Sequence, residues 1–172
     1  MNTHKNAISK QEIINEICYQ IGFATWQLQD LERNLAYYYV LVLNSNEGMG
    51  FENAKVPLEK SLKKPLGQSL DSLNKANLIP TEFKKRFQSL LDERNWLVHR
   101  SRADNRNIFD SRLVYESFLN RVQLIKNETL SLSKIVEKFV STYLEQQNFI
   151  IDNVDELTQE ILDGWHMVQD SK

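Results

Sequence analysis

Apolar residues recur at three- and four-residue intervals along almost the whole chain, and that period belongs to helices. Ile13, Ile14, Ile17, Cys18 and Ile21 keep it, as do Leu28, Leu31, Leu35, Tyr38, Tyr39 and Val42, so a long first helix is expected over about 10–44, continuous or joined near Gly22. The run Asn44-Ser45-Asn46-Glu47-Gly48-Met49-Gly50 carries stop and turn chemistry, and a loop to about Pro57 is expected behind it. Leu62, Leu66, Leu70, Leu73 and Leu78 predict a second helix, begun by Pro65 and ended before Pro80. A third opens at Pro80-Thr81-Glu82 with Thr81 as its cap and Phe83, Phe87, Leu90, Leu91, Leu97 and Val98 as its stripe. Polar residues 101–107 break the period and read as a loop. A very long helix then spans about 110–147, striped by Leu113, Phe118, Val122, Ile125, Leu132, Ile135, Phe139, Val140 and Tyr143. Its length of about 50 Å suits a small domain only if it bends or packs partly on another subunit. A last helix over about 154–168 carries Leu157, Ile161, Leu162 and Trp165. The expected fold is all-α: an up-and-down bundle of about five helices, one of them very long, in a single domain over 1–172 with an acidic C-terminal helix from about 150.

Composition removes several alternatives. With 172 residues, 41% hydrophobic and 26% charged, the chain has ordinary globular make-up, and five glycines and three prolines leave little for a turn-rich β fold. A single cysteine, Cys18, excludes an internal disulfide and a cysteine zinc cluster, and its isoleucine neighbours read it as a small buried residue. His99, far in sequence from His4 and His166 and set among scattered carboxylates, offers no metal-ligand set, so neither metal nor other cofactor is expected. No apolar run approaches the roughly 18 residues of a membrane helix, and no signal core follows the first residues, so a cytoplasmic protein without membrane contact is expected. A net charge of −2 argues against broad, non-specific nucleic-acid binding. The charge is nevertheless uneven: eight basic against four acidic side chains lie between Lys84 and Arg112, and seven acids against Lys172 alone from Glu145 onward. A local phosphate site and simple internal complementarity both fit that pattern.

The chemistry concentrates in Glu93-Arg94-Asn95-Trp96-Leu97-Val98-His99-Arg100. Arginine offers a planar fork of donors to a phosphate, and histidine moves protons near neutral pH. At about 100° per residue, Arg94 falls at the centre of the third helix's apolar stripe, with Asn95 about 100° and His99 about 140° away on one flank. Trp96 lies about 160° from that centre, which suits a dimer contact. A guanidinium in an apolar stripe needs a partner or a wet cleft. Two readings follow. In one, Arg94 is satisfied by a carboxylate such as Asp30 or Glu32 and His99 is an exposed helix-end residue favoured by the dipole. In the other, Arg94, Asn95 and His99 form a catalytic set, with Arg100 and Arg102 just beyond as substrate contacts. Elsewhere, one or two of Tyr37, Tyr38 and Tyr39 are expected in the core, Trp26 and Trp165 as packing or interface anchors, and His4 and His166 at the surface.

Arg94-Asn95-Trp96-Leu97-Val98-His99 resembles the Arg-x(4–6)-His signature of HEPN domains, including the polar residue that often follows the arginine. Its place late in a helix of an all-α chain also resembles that family, as do Leu31-Glu32-Arg33-Asn34-Leu35 in a long first helix and Lys64-Pro65-Leu66-Gly67 at a helix start. The resemblance implies a metal-independent endoribonuclease whose homodimer brings two motifs into one cleft, serving a toxin or an anti-phage defence system. It implies His99 as acid/base, Arg94 as phosphate holder and Asn95 as orienting group, with RNA as substrate and an antitoxin or other regulatory protein as partner. Where HEPN toxins paired with nucleotidyltransferase antitoxins carry a tyrosine two places after the histidine, this chain has Ser101, which puts control by tyrosine modification in doubt. Some HEPN domains lack nuclease activity and serve as small-ligand or dimerisation modules, and the alternative function is a non-catalytic HEPN-like dimerisation or interaction module, such as an immunity or regulatory partner. A phosphotransfer bundle would explain a lone helix histidine, but it calls for small residues, lysine and glycine after it, where Arg100-Ser101-Arg102 stands.

Overall fold

A computed structural model describes residues 9–43 and 51–146 as helices joined by short turns, with no strand among the described residues. In chain order the helices are α1 (Lys10–Leu43), α2 (Phe51–Leu62), α3 (Leu66–Lys75), α4 (Thr81–His99), α5 (Ser101–Asp104) and α6 (Arg112–Gln146). The all-α bundle expected from the apolar period is therefore what forms. Residues up to Phe139 make one compact unit and those from Val140 a second, of which the described part is the last turns of α6. The expected helix over 154–168, with Trp165 and His166, and the N-terminal His4 lie outside the described residues.

The helices start and stop where local chemistry says they should. Ser9 and Glu12 close a reciprocal cap on α1: the Ser9 backbone N–H donates to Glu12 Oε2 at 2.7 Å and the Glu12 N–H donates to Ser9 Oγ at 3.2 Å. Those bonds from Ser9, backbone first, hold the Glu12 carboxyl below its usual range. Gly22 does not divide α1, which is continuous across it. Pro65 precedes α3 directly, and α3 ends in a left-handed Asn77 (φ 55°) with Leu78 N–H donating to Leu73 O at 2.9 Å and Asn77 N–H to Asn74 O at 3.0 Å. That six-to-one and five-to-two pairing satisfies carbonyls that a bare helix end would leave open. Tyr38 Oη donates to Leu78 O at 3.2 Å, tying α1 to this turn.

Three expectations about these elements need correction. The loop expected up to Pro57 is helical from Phe51, with Pro57 inside α2, where its missing N–H costs one bond in the first turns. Thr81 makes no capping bond, because Pro80 occupies the cap position. The polar stretch after His99 is not all loop: a turn of helix, Ser101–Asp104, forms as Ser101 Oγ donates to Leu97 O at 2.6 Å.

Interhelix pairs fix the directions. Lys126 of α6 donates to Gln20 of α1, and Tyr38 and Phe139 pack with ring centroids 5.7 Å apart, so α1 and α6 run in the same direction. Arg86–Glu128 and Glu93–Arg121 step in opposite senses along α4 and α6, which are therefore antiparallel. The core is built from Leu28, Leu31 and Leu35 of α1, Leu70 and Leu73 of α3, Phe87, Leu90 and Leu97 of α4, and Phe118, Val122 and Leu132 of α6. Of the three consecutive tyrosines only Tyr38 is fully buried, as one side of a helix requires. Leu113 and Val98, expected in apolar stripes, are 79% and 50% exposed, Cys18 is exposed rather than buried, and Trp26 is 72% exposed.

Candidate active site

Helix α4 is buried over an arc different from the one its apolar residues mark. Phe87, Leu90 and Leu97 are in the core, but so is Trp96, at 2% exposure. Trp96 is therefore no free dimer contact within this chain. Its ring lies 5.9 Å from that of Phe118, Arg121 covers it at 3.6 Å, and its Nε1 donates to Asp104 Oδ2 at 3.0 Å. Between Trp96 and Leu90 on the helical projection lie Arg86 and Glu93, each in a two-bond pair with α6. Arg121 donates to Glu93 at 2.7 and 2.9 Å, and Arg86 to Glu128 at 2.7 and 2.9 Å with a third bond to Ser131 Oγ at 2.8 Å. The Glu128 hydrogen bonds raise Arg86 above its usual range, against a smaller effect of burial. The burial of Trp96 widens the arc toward α6 and moves its centre about 60° from Arg94, with Arg86 and Glu93 half-buried inside it. Arg94 thus stands at the edge of the buried face, not its middle.

From that edge Arg94 makes two contacts. Its Nε lies 3.4 Å from Glu32 Oε1 of α1, the partner foreseen in the structural reading, and the two side chains are 28% and 26% exposed. Its Nη1 donates to Asn95 Oδ1 at 3.3 Å, and the other guanidinium donors have no partner among the described residues. Asn95 is exposed, as is His99 at the last position of α4, where the carbonyl end of the helix favours a positive charge. Among the described residues His99 has no hydrogen-bond or ion-pair partner. Arg100 is exposed at the junction of α4 and α5, its N–H donating to Trp96 O at 2.9 Å. Arg102 is exposed on α5, with its guanidinium 5.7 Å from the centroid of the Phe109 ring.

The structure therefore joins Arg94 to Asn95 and leaves His99 open on the flank that Asn95 shares. It also joins Arg94 to Glu32, which the catalytic reading did not include. The two-bond pairs of α4 with α6 were missed altogether. Their signal is present in the sequence, since Arg86 and Glu93 stand seven residues apart, as do Arg121 and Glu128. Such a set can hold an anion on the free edge of Arg94 and exchange a proton at His99. Among the described residues no three His, Cys, Asp or Glu side chains converge as a metal would require, and no helix is long and apolar enough to cross a membrane. Comparison with protein-family models, with curated proteins and with solved structures found no match.

Proposed function

We propose that the chain is a metal-independent endoribonuclease of HEPN type, acting as a homodimer on cytoplasmic RNA in a toxin or anti-phage defence setting. The observation that carries the reading is the Arg94–Asn95 hydrogen bond on the same exposed flank of α4 as His99, whose imidazole has no partner among the described residues. In this reading His99 of one copy takes the proton from a ribose 2′-hydroxyl and the 2′-oxygen attacks the phosphorus. The bond from phosphorus to the 5′-oxygen breaks, and the second copy's histidine protonates that oxygen. Arg94 faces the phosphate oxygens with the donors that Glu32 leaves open, Asn95 orients it, and Arg100 contacts the flanking backbone. An antitoxin or other regulatory protein would cover the same flank.

A second reading, a non-catalytic interaction module, is favoured by the Arg94–Glu32 pair, which already gives the arginine a carboxylate. One experiment separates the two. Purified wild type, His99→Ala and Arg94→Ala are incubated with mixed RNA in EDTA, with sedimentation to follow the oligomer. The nuclease reading expects cleavage by wild type and a loss of about 100-fold or more in each variant. Equal cleavage by all three, or none by a folded wild type, overturns it.

A further inference from the structure

A groove of about 190 Å³ opens between the N-terminal half of α1, the α5 turn and the start of α6. Ile14, Ile17 and Ile21 form one wall, and Phe109 and Phe118 part of the other. These isoleucines keep the helical period of a core face, yet Ile14 is 39% exposed and the neighbouring Cys18 is exposed too. Apolar surface left open in this way favours an apolar occupant by about 25 cal/mol for each Å² covered.

The groove is charged at one place. Arg102 lines it with its guanidinium stacked near Phe109, and no carboxylate pairs with it among the described residues. Size narrows the occupant further. Apolar cavities of about 150 Å³ take benzene, so this one suits a single ring on a short arm or a chain of roughly six to eight carbons. A nucleobase would need several polar partners for its edges. The groove offers little beyond Asn105, whose Nδ2 already donates to Ser101 O at 2.7 Å.

We infer that this groove binds a small amphipathic carboxylate, its apolar body between the α1 isoleucines and Phe109 and its carboxylate on Arg102. The inference stands whether or not the chain cleaves RNA.

Cys18 supplies the assay, because it is the one thiol of the chain and lines the groove. The full chain is labelled with a thiol-reactive dye while octanoate or 4-phenylbutyrate is titrated in, with 1-octanol and AMP as comparison probes. Saturable protection of Cys18 by both carboxylates is expected, with labelling slowed about tenfold at saturation. Arg102→Gln, a surface change, should weaken octanoate about tenfold and leave 1-octanol unchanged, as loss of a charge-assisted bond requires. Labelling that ignores the carboxylates overturns the inference, as does equal binding of octanoate by wild type and Arg102→Gln. Stronger protection by AMP would make the groove a nucleotide site. A Cys18 already unreactive in the free chain would mean that another segment or a second copy fills it; either result overturns the inference.

Discussion

The two flanks of α4 treat charge in opposite ways. Toward α6, Arg86 and Glu93 are locked into two-bond pairs, and Arg121 lies flat on a buried Trp96. On the other flank Arg94 has one contact with Glu32 at 3.4 Å and one with Asn95 at 3.3 Å, and His99 has none among the described residues. Charges that help pack a helix have their donors and acceptors answered, since an unanswered polar group next to a core is costly. At Arg94, whose side chain is 28% exposed, incomplete satisfaction leaves donors available to a ligand. The second flank is where binding chemistry can act, and the first is what keeps that flank in place.

The contrast predicts a sharp difference in stability. Trp96→Ala should cost about 3–5 kcal/mol, because it empties a buried ring site and strips Arg121 of its stacking partner. His99→Ala should stay within about 0.5 kcal/mol. Urea unfolding of both variants measures this, and similar midpoints would erase the distinction between the flanks. A smaller effect separates the two ion pairs themselves. Double-mutant cycles should give a coupling near 1 kcal/mol for Glu93–Arg121, and less than about 0.5 kcal/mol for Glu32–Arg94. A stronger Glu32–Arg94 coupling would move Arg94 into the packing flank and count for the non-catalytic reading. The smallest effect lies far from both flanks, at the Ser9–Glu12 cap. Glu12 is lowered in the folded chain, so its stabilising share is present above its unfolded value and lost as pH falls through the lowered one. Protection factors of the amides in the first turn of α1, taken relative to their intrinsic exchange rates at each pH, should therefore fall in acid, and Glu12→Gln should remove that pH dependence.

The helical architecture was legible because period alone fixes it: α1, α3, α4 and α6 begin and end within a few residues of where apolar spacing and Pro65 or Pro80 place them. Helix α2 was hidden by Pro57 and by glycines and asparagines ahead of it, which argue locally for a loop. Projection put Arg94 in the middle of an apolar stripe because it counted only apolar side chains. The true face includes buried Trp96 and the half-buried Arg86 and Glu93, which α6 answers with Arg121 and Glu128, and no local pattern in α4 announces a partner so distant in sequence. The same blindness sent Trp96 to the surface. A carboxylate of α1, Asp30 or Glu32, is legible as a partner for Arg94, since a guanidinium against a core has few other ways to be satisfied, and the fold selects Glu32. The apolar period of Ile14, Ile17, Cys18 and Ile21 was legible as well, but whether another helix covers such a face is decided by the rest of the bundle.

The order of charges along α4 and α6 has one more consequence. Reading from the N-terminus, α4 presents arginine then glutamate at positions 86 and 93, and α6 does the same at 121 and 128. Because the helices are antiparallel, unlike charges meet in the observed alignment. A slide of α6 by two turns in one direction would set Arg121 against Arg86; in the other it would set Glu128 against Glu93. Apolar knobs spaced by heptads tolerate such a slide far better than charges do. The pairs therefore act as a key for alignment: they disfavour the two neighbouring shifts that hydrophobic packing alone would find nearly as good.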